Sequence, residues 1–198
     1  MPHKQSTHPV WLRVTHWLNA VAFLIMVGSG WRIYNASPVF RSFRFPDFWT
    51  LGGWLGGALL WHFAAMWLLV ANGVTYLAIG LLSGRFHRKL FPLRAADIWH
   101  DTALALRGRL SHNDIERFNA VQKLSYLFAI SAGILIVLSG LVVFKSVQFP
   151  LLTRLMLGYD NARIVHFACM AGLMGFLLIH VGAALAVPKT IVAMIRGH

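Results

Sequence analysis

Ten histidines occur in the chain, and four of them fall inside long apolar stretches: His16, His62, His166 and His180. An imidazole is a metal ligand through either ring nitrogen, and it titrates near neutrality. At membrane depth such a group is costly to hold, so its presence marks a functional site. A single buried histidine is more often a hydrogen-bonded structural residue; four of them point elsewhere. His166 and His180 lie fourteen residues apart. On an α-helix that separation is ~40° short of four full turns, with a rise of ~21 Å. Both rings therefore leave nearly one face at two depths. The chemistry this suits is axial ligation of two haems stacked through a membrane.

The elements that carry these residues follow from composition. Of 198 residues, 58% are hydrophobic and only 12% charged, about half the charged share of a soluble domain. Four apolar runs stand out, roughly Trp11–Tyr34, Leu51–Leu82, Leu124–Phe144 and Ile164–Val187. Each reaches the ~20 residues needed to cross the hydrocarbon core. The expected fold is all-α, an integral membrane four-helix bundle forming one domain over 1–198, with helices near 11–34, 51–82, 120–144 and 161–187. The second run exceeds a span, so its first turns, Gly52-Gly53-Trp54-Leu55-Gly56-Gly57, are expected to overhang the outer surface. The first run is read as a retained helix, because it is too long for a signal peptide, carries Arg13, His16 and Asn19, and precedes no A-x-A-like site. No repeat of fixed period is present, although helices one and three share a stretch closing in Ser-Gly, Ser29-Gly30 and Ser139-Gly140. Small residues there let helices or a flat cofactor approach closely.

The formal charge of +12 does not indicate nucleic acid, because the basic residues sit between the apolar runs. They set topology instead. The amino-terminal tail, second loop and carboxy-terminal tail hold twelve Lys and Arg, against six in the first and third loops. Both termini and the long second loop are accordingly expected in the cytoplasm of a bacterial cell, the spans lying in the inner membrane among its lipids. His16 then enters helix one from the cytoplasmic side, and His180 lies about two turns from the cytoplasmic end of helix four. His62 precedes Gly84 by 22 residues, ~33 Å by helical rise, which puts it with His166 toward the outer leaflet. Two axial pairs result, His16 with His180 and His62 with His166.

Arg13 and Arg163 each precede a histidine by three and share its helix face nearer the surface. Haem propionates would find a cation there; snorkelling to lipid headgroups explains the same placement. Cys169 is the single cysteine, which excludes an internal disulfide and the C-x-x-C-H attachment of c-type haem. Any haem is held by side chains alone. His3, His8 and His198 in the tails, and His87, His100 and His112 in the second loop, read as solvated.

These residues resemble the di-haem membrane cytochrome b family that includes bacterial cytochrome b-561, the Ni-hydrogenase cytochrome b subunit and the formate dehydrogenase gamma subunit. The resemblance covers essentially the whole chain: four spans, His16-Trp17 opening helix one, and the paired histidines of helix four. Arg117-Phe118-Asn119-Ala120-Val121-Gln122-Lys123 is similar to the Tyr-Asn-x-x-Gln-Lys signature of the formate dehydrogenase and hydrogenase branch, with Phe118 in place of tyrosine. The resemblance implies two haem b groups and a quinone site near the cytoplasmic haem, lined by Asn119, Gln122 and the surroundings of His180. Capping of helix three is the alternative use of Asn119 and Gln122. Gly158-Tyr159-Asp160, leading into helix four, is similar to cytochromes that accompany molybdopterin oxidoreductases.

The function implied is electron transfer between a periplasmic oxidoreductase subunit (hydrogenase, formate dehydrogenase or molybdopterin type) and the quinone pool of a respiratory chain. A self-standing superoxide:quinone oxidoreductase is the alternative of the same fold, since Arg32, Arg41, Arg44, Lys145 and Arg154 could attract an anion. A haem-free transporter or assembly factor is the alternative of another class. A homodimer is compatible with each of these readings.

Overall fold

The computed structural model describes residues 9–107 and 119–197. His3, Lys4, His8, Arg109, His112, Arg117, Phe118 and His198 lie outside the described residues. Among the described residues eight α-helices follow in order: α1 Val10–Ala36, α2 Leu55–Leu82, α3 Arg85–Leu90, α4 Ala95–Leu106, α5 Ala120–Lys145, α6 Pro150–Leu155, α7 Tyr159–Ala186 and α8 Pro188–Arg196. There is no strand among the described residues. α1, α2, α5 and α7 are 26 to 28 residues long and apolar enough to cross a bilayer. At 1.5 Å per residue each is ~40 Å, against a hydrocarbon core of ~30 Å. Leu24, Leu60, Trp67, Leu178 and Ile179 expose large apolar side chains along them. Such surfaces need lipid as solvent, and helices answer that solvent by satisfying their own backbone polar groups. The protein is an all-α, multi-pass membrane protein.

The described helices gather into two compact units, one of residues 1–77 with 188–198 and one of residues 78–187. In the first, α1 and α2 run antiparallel: Trp11 meets Tyr76 with ring centroids 6.3 Å apart, and Asn72 donates to the Thr15 carbonyl at 2.7 Å. α2 begins at Leu55 rather than at Leu51. Gly52 and Gly53 take φ of 106° and 70°, and a Cβ at Gly52 would lie 2.4 Å from the Ala58 amide nitrogen. Gly52–Trp54 therefore form a turn folded against the start of α2, whose first helical residues are Leu55, Gly56 and Gly57. The Leu51 amide donates to the Gly28 carbonyl at 2.9 Å, returning the loop to α1. α8 is amphipathic and docks on α1. Arg13 Nη1 donates to the Ile195 carbonyl at 2.7 Å and Trp17 Nε1 to the Met194 carbonyl at 3.4 Å, so α1 supplies donors to the last turn of α8.

In the second unit α5 and α7 are antiparallel, with Ser139 beside His166 and Phe128 beside Phe176. A Cβ at Gly172 would lie 3.1 Å from the Phe128 ring, so its absence lets that ring seat. The amino terminus of α5 is closed three times over. Asn119 Oδ1 accepts from the Gln122 amide at 2.8 Å, and Gln122 Oε1 accepts from the Asn119 amide at 3.1 Å. Asp101 of α4 accepts from the Ala120 amide at 2.8 Å. A carboxylate facing a helix amino terminus also meets its positive end.

That amide bond, with the neighbouring His100 ring, holds the Asp101 carboxyl below its usual value of 3.8. A group whose pKa falls on folding stabilises the fold fully above its unfolded value, and the contribution is lost as pH drops through the folded one. The Asp101 tie should therefore persist above about pH 4 and fade below it. Asp101→Ala should cost about 0.5–2 kcal/mol, the range for a lost helix cap. Hydrogen exchange at the Ala120 amide at neutral pH measures this; unchanged exchange in the variant would show the cap to be idle.

Candidate functional site

In the first unit the ring of His62, on α2, lies against the end of α1. Ser29 is fully buried, and its Oγ sits 3.0 Å from His62 Nδ1. The same Oγ lies 2.6 Å from the Ile25 carbonyl of its own helix. A hydroxyl has one proton, and a carbonyl can only accept. The Ser29 proton therefore goes to Ile25, Ser29 accepts from His62, and Nδ1 carries the ring hydrogen. Nε2 then bears the lone pair, the form an imidazole needs to bind iron. Gly30 faces the ring edge: a Cβ there would touch His62 Cε1 at 3.4 Å, an ordinary contact.

The second unit repeats the arrangement with different residues around it. Ser139 is fully buried on α5, donates to the Leu135 carbonyl at 2.8 Å, and lies 3.2 Å from His166 Nδ1 on α7. His166 Nδ1 is also 3.0 Å from the Ile136 carbonyl, an acceptor that again requires Nδ1–H. A Cβ on Gly140 would come within 3.2 Å of His166 Cε1.

The other two spanning histidines sit in aromatic surroundings. His16, half-buried on α1, has Trp17 edge-on at 5.1 Å. His180, exposed near the end of α7, stacks on Phe176 at 5.7 Å. Arg13 is engaged with the end of α8. Arg163 lies 3.9 Å from Asp160 and over the Tyr159 ring at 5.9 Å. The side-chain oxygens of Asn119 and Gln122 both accept backbone amides in the capping box, so what each side chain offers a ligand is its NH₂ donor.

For Ser29 and Ser139 the sequence pointed only to close packing, as small residues that let helices or a flat cofactor approach. Their Ser-Gly motif was visible, but the link to a histidine 33 or 27 residues away is a contact between helices that no local spacing announces.

Histidines on membrane-spanning helices, without a cysteine pair to anchor a cofactor covalently, suit a b-type haem protein of the membrane. The model of the family described as "Prokaryotic cytochrome b561" matches residues 7–197, and the chain belongs to that family. A protein of Azospira oryzae named "Putative protein-methionine-sulfoxide reductase subunit YedZ1" is 58% identical over 193 residues, which cover 98% of this chain and 97% of that one. The protein is thus a membrane cytochrome that binds haem b and transfers electrons.

The residues fit that cofactor. His62 and His166 are held as the Nδ1–H tautomer, and each ring edge is admitted by a glycine that a larger residue would block. Gly140→Leu should therefore displace His166 and lower haem per chain, as read by the pyridine haemochrome assay. Gly133→Ala, on the same helix with nothing within 4 Å of the added Cβ, should retain it. Full haem in Gly140→Leu would contradict the assignment.

Proposed function

We propose that the protein is a di-haem electron carrier between the quinone pool and a periplasmic oxidoreductase, ligating one haem through His62 and His166 toward the outer leaflet and one through His16 and His180 toward the cytoplasm. The observation that carries this reading is α7, one unbroken helix over Tyr159–Ala186 with His166 near one end and His180 near the other. Its rise between them is ~21 Å, which suits two redox centres at two depths. Haem b, when bound, supplies reversible one-electron storage. The residues of the chain do the rest. The serine-held imidazoles fix ligand orientation, and apolar helices keep water from the centres. Arg13 and Arg163 stand one turn from a ligand, placed to meet propionate charge. The positive-inside distribution supports cytoplasmic termini in a bacterial inner membrane.

The name of the Azospira oryzae protein suggests the partner class here: a periplasmic enzyme that reduces methionine sulfoxide in proteins. That chemistry sets a direction. Sulfoxide reduction takes two electrons and two protons and releases thioether and water. Oxidation of a quinol releases two electrons and two protons. Electrons would then run from quinol, past the cytoplasmic and outer ligand pairs, to the partner, while the quinol protons leave at the quinone site. Asn119 and Gln122 support a quinone site at the start of α5, because amide NH₂ groups donate well to quinone carbonyls.

Replacing His16 or His180 by Ala should lower haem content to about half while the other haem keeps its reduced-minus-oxidised band. Equal loss of both bands in a folded variant would overturn the pairing. Asn119→Asp removes the NH₂ group yet keeps a capping oxygen. It should slow quinol-driven haem reduction with haem content unchanged; wild-type kinetics would remove Asn119 from the site.

A further inference from the structure

We propose that Ser29 and Ser139 are positioning residues that tune the haem through His62 and His166, as matched parts of an internal repeat of one ligand-presenting helical hairpin. The proposal rests on the reading of His62 and His166 as axial ligands. It adds a role for two side chains that touch neither iron nor substrate.

The repeat is carried by contacts rather than by sequence similarity. In each hairpin a buried serine on the first helix donates to a carbonyl four residues back. Its oxygen faces the Nδ1 of a histidine early in the second helix, and the next residue is a glycine at the ring edge. The register extends beyond the contact. His16 lies thirteen residues before Ser29 on α1, and Tyr126 lies thirteen before Ser139 on α5. Tyr76 lies fourteen residues after His62 on α2, and His180 fourteen after His166 on α7. The hairpins thus share one plan, with tyrosine and histidine exchanged at the second level. A serine kept with its following glycine in the same place in both copies is explained by the ring it serves.

The physical effect follows from the bond direction. An imidazole that donates its Nδ1 hydrogen to an acceptor becomes a more basic ligand at Nε2. More electron donation favours ferric over ferrous iron, so these bonds lower the reduction potential. Fixing the tautomer also holds the ring plane, which a packing role alone would not link to potential.

Potentiometric titration of the purified protein, followed at the haem α band, tests this. Ser29→Ala should retain haem and raise the midpoint potential of one haem component; Ser139→Ala, which leaves the Ile136 carbonyl 3.0 Å from His166 Nδ1, should raise it by less. Ser29→Thr and Ser139→Thr, which keep the hydroxyl, should return it to the wild-type value. Unchanged or lowered potentials in Ala variants with full haem would overturn the proposal. Should an Ala variant lose its haem, the Thr variant at that position decides. A wild-type midpoint supports the hydroxyl's role, and a raised one overturns it. His62→Ala and His166→Ala separate the two readings. Full haem in those variants would remove the ligands themselves, whereas haem loss there with silent serine variants would sink the serine proposal alone.

Discussion

A ring nitrogen inside a membrane has no water to turn to, and the structure is arranged around meeting that need from within the helices. An imidazole has two nitrogens and, when neutral, one hydrogen, so satisfying one nitrogen fixes the character of the other. Serine is suited to this. Its hydroxyl donates back to its own helix, Ser29 to Ile25 and Ser139 to Leu135, and so faces the histidine only as an acceptor. The backbone bond thereby determines the tautomer of a ring on another helix. Glycine at the following position admits the ring edge, and the antiparallel pairing of α1 with α2 and of α5 with α7 brings the partners level. Serine and glycine thus face the same ring at adjacent positions in both hairpins.

The same accounting governs the helix ends, where residues with functional-looking polarity turn out to hold structure. The first turn of α5 has amides without intrahelical partners, and Asn119, Gln122 and Asp101 take three of them. At the other end of the chain, Arg13 and Trp17 of α1 reach the last carbonyls of α8. A structural bond does not exhaust these groups. An amide whose oxygen is committed to a cap has its orientation fixed and its NH₂ aimed by default, and a guanidinium that anchors one nitrogen presents the rest of a rigid plane. Capping and recognition are compatible uses of one side chain, and capping lowers the entropy that recognition would otherwise cost.

Much of the fold was legible because lipid imposes a simple rule. Apolar runs long enough to span and poor in charge read as helices, and α1, α5 and α7 end within two residues of Tyr34, Phe144 and Val187. The start of α2 was not legible from hydropathy. Gly52 and Gly53 are apolar by scale, yet their positive φ breaks the helix, a backbone property that an apolar run conceals. α8 escaped notice because nine residues with mixed polarity lack the length of a span. The four histidines declared themselves by residue type, since an imidazole in an apolar run is conspicuous. Ser29 and Ser139 did not, since a serine in a membrane helix usually bonds its own backbone and nothing more. Only the approach of a second helix gives that oxygen another use.

The exchange of tyrosine and histidine leaves each hairpin with two spanning histidines. Two identical copies would also carry four, one on each helix. Instead, each hairpin carries one imidazole at each level: His62 and His16 on α2 and α1, His166 and His180 together on α7. Bis-imidazole ligation takes two rings per iron, so under the proposed pairing each hairpin would give one ring to each of two haems. It also means that neither hairpin holds a complete ligand pair of its own at either depth. A chain ligating haem through that pairing would acquire it only as both halves form, which would tie cofactor binding to completion of the fold.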